Sequence, residues 1–280
     1  MKIMKLLVVL LGVMTLAACS STGGTSGSGG DSSGGDTTGT TGPAATGGAG
    51  EGIVADHTVI AAFDAIPASA IDAAKSSLHI YYGHTSHGSQ LITGAEMLDD
   101  AVYERAALDI EEESGDLGTG GATAWADTTR TRLGLAGSDI NVVMWSWCGG
   151  VSSNDAAGID AYLAAMDALE SEYPSVRFVY MTGHTDGTGA SGTLRTMNAR
   201  IRAWCVAHDK ILYDFEDIES YDPAGAYYAE VSDACEWCGT WCASHTCASC
   251  GDCAHSHCFN CYQKGKTLWW LLARIAGWSS

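Results

Sequence analysis

The stretch Gly83–Gly88, which reads Gly-His-Thr-Ser-His-Gly, carries the side chains best suited to chemistry. It follows a short apolar run, residues 78–82, and precedes apolar residues at helical spacing. A strand that turns sharply into a helix presents side chains and backbone N–H groups at the carboxyl edge of a parallel sheet, where open α/β folds bind ligands. A serine hydroxyl placed there becomes a nucleophile when a neighbouring base takes its proton. We therefore predict Ser86 as a nucleophile, with a helix N-cap as the alternative role.

The base must reach the same edge of the sheet, and histidine is the usual choice. Six histidines are candidates: His84, His87, His184, His245, His255 and His257. His255 stands out because Asp252 precedes it by three residues, just before the last predicted helix. An aspartate beside a catalytic histidine holds the imidazole in its working orientation.

Two further loops follow apolar runs and are expected at the same edge. Residues 146–150 read Ser-Trp-Cys-Gly-Gly, and the Gly-His-Thr of residues 83–85 occurs again at residues 183–185. These loops supply the candidates for contacts to substrate or to an oxyanion: His84, Ser146, Trp147, His184 and Asp186. Alternative structural roles are hydrogen bonding across the loops for the histidines, core packing for Trp147 and turn capping for Asp186.

Alternating strand and helix patterns must position these loops. Strands are predicted at residues 78–82, 140–145, 176–181 and 210–215, and helices at 68–75, 90–106, 123–133, 155–173, 192–208 and 264–276. No element is predicted in the acidic, glycine-rich passage 111–121. The alternation predicts an α/β fold, a three-layer α/β/α sandwich with a mostly parallel sheet.

The N-terminus has the pattern of an exported protein. Residues 1–18 combine a basic start, a short apolar segment and Leu-Ala-Ala before Cys19, which resembles the lipobox of bacterial lipoprotein signal peptides. The resemblance implies cleavage before Cys19, lipidation of that residue, and a place in the cell envelope, at the outer membrane in a double-membraned cell. Residues 19–51 are rich in Gly, Ser and Thr and are predicted to be a flexible linker, so the folded domain is 52–280.

The formal net charge of −19 excludes some partners. An acidic chain repels phosphate backbones and anionic lipid head groups, so nucleic acid is not expected as a partner. Contact with the membrane is expected through the N-terminal lipid alone. We expect a monomer that acts on a small-molecule or polysaccharide ester, without a cofactor or a resident metal ion.

Eight of the chain's eleven cysteines lie in the insertion 235–261. The Cys-x-x-Cys spacings are also compatible with zinc or an iron–sulfur cluster, but an exported chain meets an oxidising compartment, which favours disulfides. Cys148 and Cys205 bring the number available for disulfides to ten once Cys19 is reserved for lipid. Because the insertion is poor in large aliphatic residues, we expect covalent stapling to replace a core of its own.

Several of these features together resemble the SGNH (GDSL-like) hydrolases over most of residues 52–280. They are a serine after the first strand, a glycine loop, a loop after the middle strand, and Asp-x-x-His before the C-terminal helix. Gly83–Gly88 is similar to the Gly-His-x-Ser turn of divergent relatives. The resemblance implies a flavodoxin-like sheet, with Ser86 as nucleophile, His255 as general base and Asp252 as its orienting residue.

The same resemblance implies oxyanion donors. These are the backbone N–H of Ser86 or His87 and a glycine at Gly120 or Gly121. The chain lacks the Gly-Asp-Ser and Gly-x-Asn-Asp blocks, so Asn154 or His184 would replace the missing side-chain donor.

Together these features predict a lipid-anchored envelope hydrolase that cleaves esters, such as acetyl esters on polysaccharide. One alternative is a non-catalytic surface protein that binds glycan on the same fold. The other is a metal-dependent hydrolase using the cluster of His84, His87, His184, Asp186 and His255.

Overall fold

The computed structural model of the protein describes residues 52–279. The predicted signal peptide 1–18, the lipidation site Cys19 and the predicted linker 19–51 lie outside the described residues. Within 52–279, no helix is both long enough and apolar enough to cross a bilayer.

Six strands of the described chain form one sheet, in the order β3-β2-β4-β5-β6-β1, and every neighbouring pair is parallel. The strands are β1 (Ile53–Ala55), β2 (His79–His84), β3 (Asp109–Ser114), β4 (Val142–Trp145), β5 (Arg177–Met181) and β6 (Ile211–Tyr213). Counted from β2, the order is the 2-1-3-4-5 of flavodoxin-like folds, with β1 added beside β6. The predicted parallel α/β fold is confirmed.

Helices cover both faces of this sheet. They are α1 (Ala68–Ser77), α2 (Ser86–Met97), α3 (Ala124–Leu133), α4 (Ala156–Glu172), α5 (Thr193–Ala207), α6 (Phe215–Ser220), α7 (Glu236–Cys242) and α8 (Cys258–Ile275). Helix α8 packs on α1 and α2, while α4 packs on α3 and α5. The chain therefore has the predicted three layers, and its central strands β4 and β5 are buried on both faces.

Helices α2 and α8 approach each other at two glycines. A Cβ placed on Gly94 would overlap the carbonyl oxygen of Cys261, and a Cβ on Gly265 would overlap the backbone of Gly94. This close crossing fixes the start of α2 relative to the chain segment that enters α8.

Some predicted boundaries are wrong. Helix α2 begins at Ser86 and ends at Met97, whereas the prediction was 90–106. Strand β3 lies where an acidic, glycine-rich passage was left without an element; as an edge strand it exposes Glu111 and Glu112 and half-buries Ile110 and Glu113. Helix α8 begins at Cys258, six residues before its prediction, and its first turn holds the disulfide cysteines Cys258 and Cys261 of the insertion.

Four disulfides staple the insertion 235–261, as predicted: Cys235–Cys238, Cys242–Cys247, Cys250–Cys258 and Cys253–Cys261. The expectation that Cys148 and Cys205 also count toward disulfides is wrong, because both keep their thiols. The insertion has a small apolar cluster in which Trp237 packs edge-on against Phe259 of α8. Trp237 is thus a packing residue, and its indole N–H donates to the Glu219 carbonyl oxygen.

Candidate active site

The candidate site lies where the chain order of the sheet reverses. From β2 the chain goes to β3 on one side and then to β4 on the other, and such a switch point opens a crevice at the carboxyl edge. Ser86 follows β2 and Cys148 follows β4. The two side chains meet there, with Ser86 Oγ 3.6 Å from Cys148 Sγ.

Ser86 is the first residue of α2, and Thr85 is the N-cap, so the alternative role of Ser86 as an N-cap is wrong. Thr85 does not cap the helix with its side chain either. Its N–H and hydroxyl both donate to Asp116, at 3.0 Å and 2.7 Å. The first N–H groups of α2 therefore receive no side-chain cap and are available, with the helix dipole, to stabilise negative charge in the crevice.

His87 lies one residue further and is 5 % exposed. Its Nε2 is 3.2 Å from Asp233 Oδ2, and the Cys148 side chain is a second polar neighbour of the ring. The other ring nitrogen, Nδ1, is buried and makes no hydrogen bond of standard geometry to a described residue. Nδ1 is therefore the nitrogen available for proton transfer.

Two further imidazoles stack on His87. The ring of His184 is parallel to it within 3°, with 3.6 Å between centroids, and His255 stacks at 4.6 Å and 17°. At these centroid distances, the His184 and His255 rings would overlap if both lay on the same face of His87. They therefore flank His87 on opposite faces. His184 is fixed by its own hydrogen bonds: Gly149 N–H donates to its Nε2 at 3.1 Å, which leaves the proton on Nδ1, 2.7 Å from the Thr185 carbonyl oxygen.

The pKa values of the stacked rings move apart. Burial acts to lower the pKa of His87, but the Asp233 carboxylate and then Cys148 outweigh it and raise the pKa to about 9. Burial, followed by the positive charge of His87, lowers the pKa of His184. The hydrogen bond to His87 is the leading cause that lowers the pKa of Asp233. At neutral pH the site therefore holds a protonated His87, which is paired with an ionised Asp233 and stacked on a neutral His184.

The predicted residues Asp252 and His255 are both exposed. His255 reaches the site through its stack on His87, in a left-handed backbone conformation with φ of 61°. Among the described residues, no hydrogen bond joins Asp252 to His255. Their catalytic roles stay predictions.

Other predicted contact residues have structural partners. His84 binds Glu112 at 2.9 Å, and Asp186 accepts hydrogen bonds from Thr188 as a turn cap. Ser146 is fully buried beside these loops. Trp147, predicted to contact substrate or an oxyanion, has instead the alternative role of core packing, since it is 3 % exposed and donates to the Met181 carbonyl oxygen.

The predicted oxyanion glycines Gly120 and Gly121 both have positive φ, 58° and 77°, in the loop between β3 and α3. Gly121 N–H donates to Asn154 Oδ1 at 2.9 Å, and the Asn154 amide nitrogen donates to Gly150 O at 2.7 Å. Asn154 thus braces two loops with its whole amide group. The Gly121 N–H and the Asn154 amide, both candidates for an oxyanion donor, therefore already have hydrogen-bond partners within the protein.

The structure also brings in residues that the sequence did not assign to catalysis. Cys148 was counted among the disulfide candidates, although its place directly after a buried strand was a usable signal. Asp233 lies in the irregular segment between α6 and α7, and nothing in its sequence surroundings marks it.

His87, His184 and Asp233 also place their ligand atoms within 4.8 Å of one another, which is close enough to consider a metal ion. A metal lies in the plane of each imidazole that binds it, about 2.1 Å from the nitrogen. An ion in the plane of His87 would lie well outside the parallel plane of His184. The stack therefore suits proton chemistry better than joint coordination. Of the predicted metal set, His84 and Asp186 are held by the partners described above.

No family model matches the chain, and no curated protein matches it. A solved structure of an inferred acylhydrolase from Bacteroides fragilis NCTC 9343 has 8 % sequence identity and a TM-score of 0.35 over 56 % of this chain and 78 % of its own.

Proposed function

We propose that this chain is a hydrolase that cleaves esters through an acyl-enzyme intermediate, with Cys148 as nucleophile, His87 as acid–base partner and Asp233 as the residue that orients His87. The observation that supports it is the 3.2 Å approach of His87 Nε2 to Asp233 Oδ2 at the switch point of the sheet, with Cys148 as a further polar neighbour of the His87 ring. A nucleophile, a base within reach and a third group that orients the base are the recurring elements of covalent hydrolysis.

The pKa of His87 favours a cysteine nucleophile over a serine. An imidazole whose pKa is about 9 is protonated at neutral pH and cannot take a proton from a serine hydroxyl. The same cation stabilises a thiolate, which is the reactive form of cysteine. The uncapped start of α2 adds a positive dipole end near Cys148 Sγ.

The steps follow from this ion pair. The Cys148 thiolate attacks the ester carbonyl carbon, and the oxyanion that forms is stabilised by N–H groups at the start of α2. His87 donates its Nδ1 proton to the departing alcohol, which leaves a thioester on Cys148. Neutral His87 then takes a proton from water, the resulting hydroxide displaces the acyl group as the carboxylic acid, and the thiolate–imidazolium pair returns.

Ser86 remains the second candidate nucleophile, because its hydroxyl is within 3.6 Å of Cys148 Sγ. In that arrangement His255, the base implied by the family resemblance, would act from the exposed side of the stack. The non-catalytic glycan-binding alternative would use Trp147 and the capped edge of the sheet, and the burial of that ring leaves only the edge for such binding.

The proposed location is the bacterial cell envelope, with the chain tethered by a lipid on Cys19. The disulfides of the insertion support an oxidising compartment. Esters found there, including acetyl esters on polysaccharide, are the proposed substrates. We propose that the protein acts on them as a monomer. Substitution of Cys19 by Ala in cells should abolish incorporation of radiolabelled fatty acid; labelling that persists would contradict the anchor.

The test of the activity uses short-chain nitrophenyl esters and acetylated polysaccharides with wild type, Cys148→Ala and Ser86→Ala. We expect Cys148→Ala to lose about 10³-fold or more in kcat/KM, while Ser86→Ala loses much less. Iodoacetamide should inactivate the wild type and label Cys148, and a fluorophosphonate should not label Ser86. Equal activity of Cys148→Ala and wild type would refute the thiol mechanism, and loss only in Ser86→Ala would establish the serine.

A further inference from the structure

The interior behind the candidate site contains a buried lysine, whose pKa is lowered by burial against the opposing effect of Glu219. Lys264, on α8, is fully buried, and its Nζ binds Glu219 Oε1 at 2.5 Å. The same Nζ donates to the side-chain oxygen of Gln90, on α2, and lies 4.0 Å from the centre of the Phe215 ring. Glu219 and Gln90 are also fully buried. A buried ion pair adds little net stability over an apolar pair of the same volume, so its presence calls for another explanation.

One arm of this network holds the loop of His184. Glu219 Oε2 accepts hydrogen bonds from Thr185 N at 2.7 Å and from Thr185 Oγ1 at 2.9 Å. The carbonyl oxygen of Thr185 in turn fixes Nδ1 of His184. The position of the His184 ring thus depends on a carboxyl group that is held by Lys264.

The other arm holds the loop of His255. The amide nitrogen of Gln90 donates to the Ala254 carbonyl oxygen at 2.5 Å. Asn260 donates to Ser256 Oγ at 2.7 Å and to Glu219 Oε1 at 3.2 Å. The residues on both sides of His255 are therefore tied to the same buried network, which helps to hold His255 at its positive φ.

We propose that the Lys264–Glu219 pair is a positioning element that holds His184 and His255 against the two faces of His87, and so sets the ionisation of the Cys148–His87 pair. This role rests on the proposed function for the chemistry it serves. The groups that act on His87 are Asp233, Cys148 and Glu219 by charge, and His184 and His255 by stacking. Lys264 acts through these groups and touches no reacting atom.

The test replaces both partners, because removal of one alone would leave an uncompensated buried charge. In Lys264→Met/Glu219→Gln, both charges are removed and the side-chain shapes are kept. The matched control is Lys210→Met/Glu170→Gln, which removes another lysine–glutamate pair, located where the chain enters β6, at the opposite edge of the sheet.

The readouts are the His87 pKa, from NMR titration of the imidazole signals, and the pH dependence of Cys148 alkylation by iodoacetamide. In Lys264→Met/Glu219→Gln we expect the His87 pKa to fall by about one unit and the alkylation rate at neutral pH to fall by roughly tenfold. In the control pair both should equal the wild type at a similar loss of thermal stability. A folded Lys264→Met/Glu219→Gln protein with an unchanged His87 pKa and alkylation profile would overturn the proposal.

Thr185→Val provides a milder variant if the double variant fails to fold. It removes one of the two hydrogen bonds to Glu219, and a smaller shift in the same direction is expected. No shift in folded Thr185→Val would then overturn the proposal. Because neither readout requires ester hydrolysis, a protein with these shifts and no esterase activity would refute the proposed function and leave the positioning role intact.

Discussion

Asp233 Oδ2 lies 3.2 Å from His87 Nε2, although 146 residues separate the two in the chain. Asp233 comes two residues before the Cys235–Cys238 disulfide, so the segment that leads into the stapled insertion supplies the carboxylate that binds a histidine of the α/β domain. The site is therefore built from both the sheet edge and the segment that leads into the insertion.

The first prediction concerns Asp233→Asn. Loss of the carboxylate should lower the His87 pKa by about 1–2 units, because burial then dominates. If His87 must be protonated to release the alcohol, the alkaline limb of the kcat/KM profile, expected near pH 9 in the wild type, moves to lower pH by the same amount. The measurement is a pH–rate profile from pH 5 to 10.

Asp252→Asn in the same assay tests the orienting residue implied by the family resemblance. The structure predicts an unshifted alkaline limb, because Asp252 is exposed and is not hydrogen-bonded to His255 among the described residues. A shift in Asp252→Asn with none in Asp233→Asn would favour the Ser86, Asp252 and His255 arrangement.

A second prediction links the His87 pKa to stability. The folded pKa of about 9 is above the unfolded value of 6.5, so His87 contributes stability that is fully present below pH 6.5 and lost as the pH rises through 9. His87→Gln should lack this contribution. Urea unfolding at pH 6 and pH 9.5 should show that the wild type loses on the order of 2 kcal/mol more than His87→Gln over this interval. Equal losses in both proteins would argue against a raised His87 pKa.

A third prediction uses the crossing of α2 and α8. Gly94→Ala should destabilise the protein by about 3 kcal/mol or more, because the new Cβ meets backbone atoms that have no room to move. Gly239→Ala in α7 is the matched control, since open space surrounds its Cβ position. That change should be neutral or stabilise by about 0.5–1 kcal/mol. Urea unfolding of both variants measures the difference, and similar values for the two would show that the helices are further apart.

A fourth prediction concerns the cysteines. Alkylation of the unfolded, unreduced protein should modify Cys148 and Cys205 and none of the eight insertion cysteines, with peptide masses that match the four pairings. The double substitution Cys253→Ser/Cys261→Ser should cost about 2–3 kcal/mol, as for a short closed loop. It should also release the His255 loop and weaken activity. Stoichiometric zinc or iron in the purified protein, with alkylatable insertion cysteines, would contradict the disulfide assignment.

The fold was largely predictable because its signals are local. Buried parallel strands such as β4 and β5 are continuous apolar runs, and the helices between them carry apolar residues at helical spacing. Elements whose apolar signal is weak were missed or misplaced. Edge strand β3 is mostly acidic, the first turn of α2 is polar, and the first turn of α8 holds two disulfide cysteines of the insertion.

The repeated Gly-His-Thr pointed to related loop geometry. In both loops the threonine N–H and hydroxyl donate to a carboxylate, Asp116 for Thr85 and Glu219 for Thr185. In both, the histidine Nδ1 lies close to the carbonyl oxygen of the following threonine. The sequence showed the repeated motif, but the two carboxylates come from other parts of the chain and were identified only in the folded structure.

By itself, the sequence determined the alternation of strands and helices, the edge where the polar loops collect and the disulfide-rich insertion, because periodicity and spacing are properties of short segments. Only the tertiary structure decided which histidine lies against which carboxylate. The partner of His87 is 146 residues away in a segment without a pattern, and Cys148 meets Ser86 only because β2 and β4 are neighbours in the sheet. Such pairings depend on strand order and helix packing, which bring distant residues together.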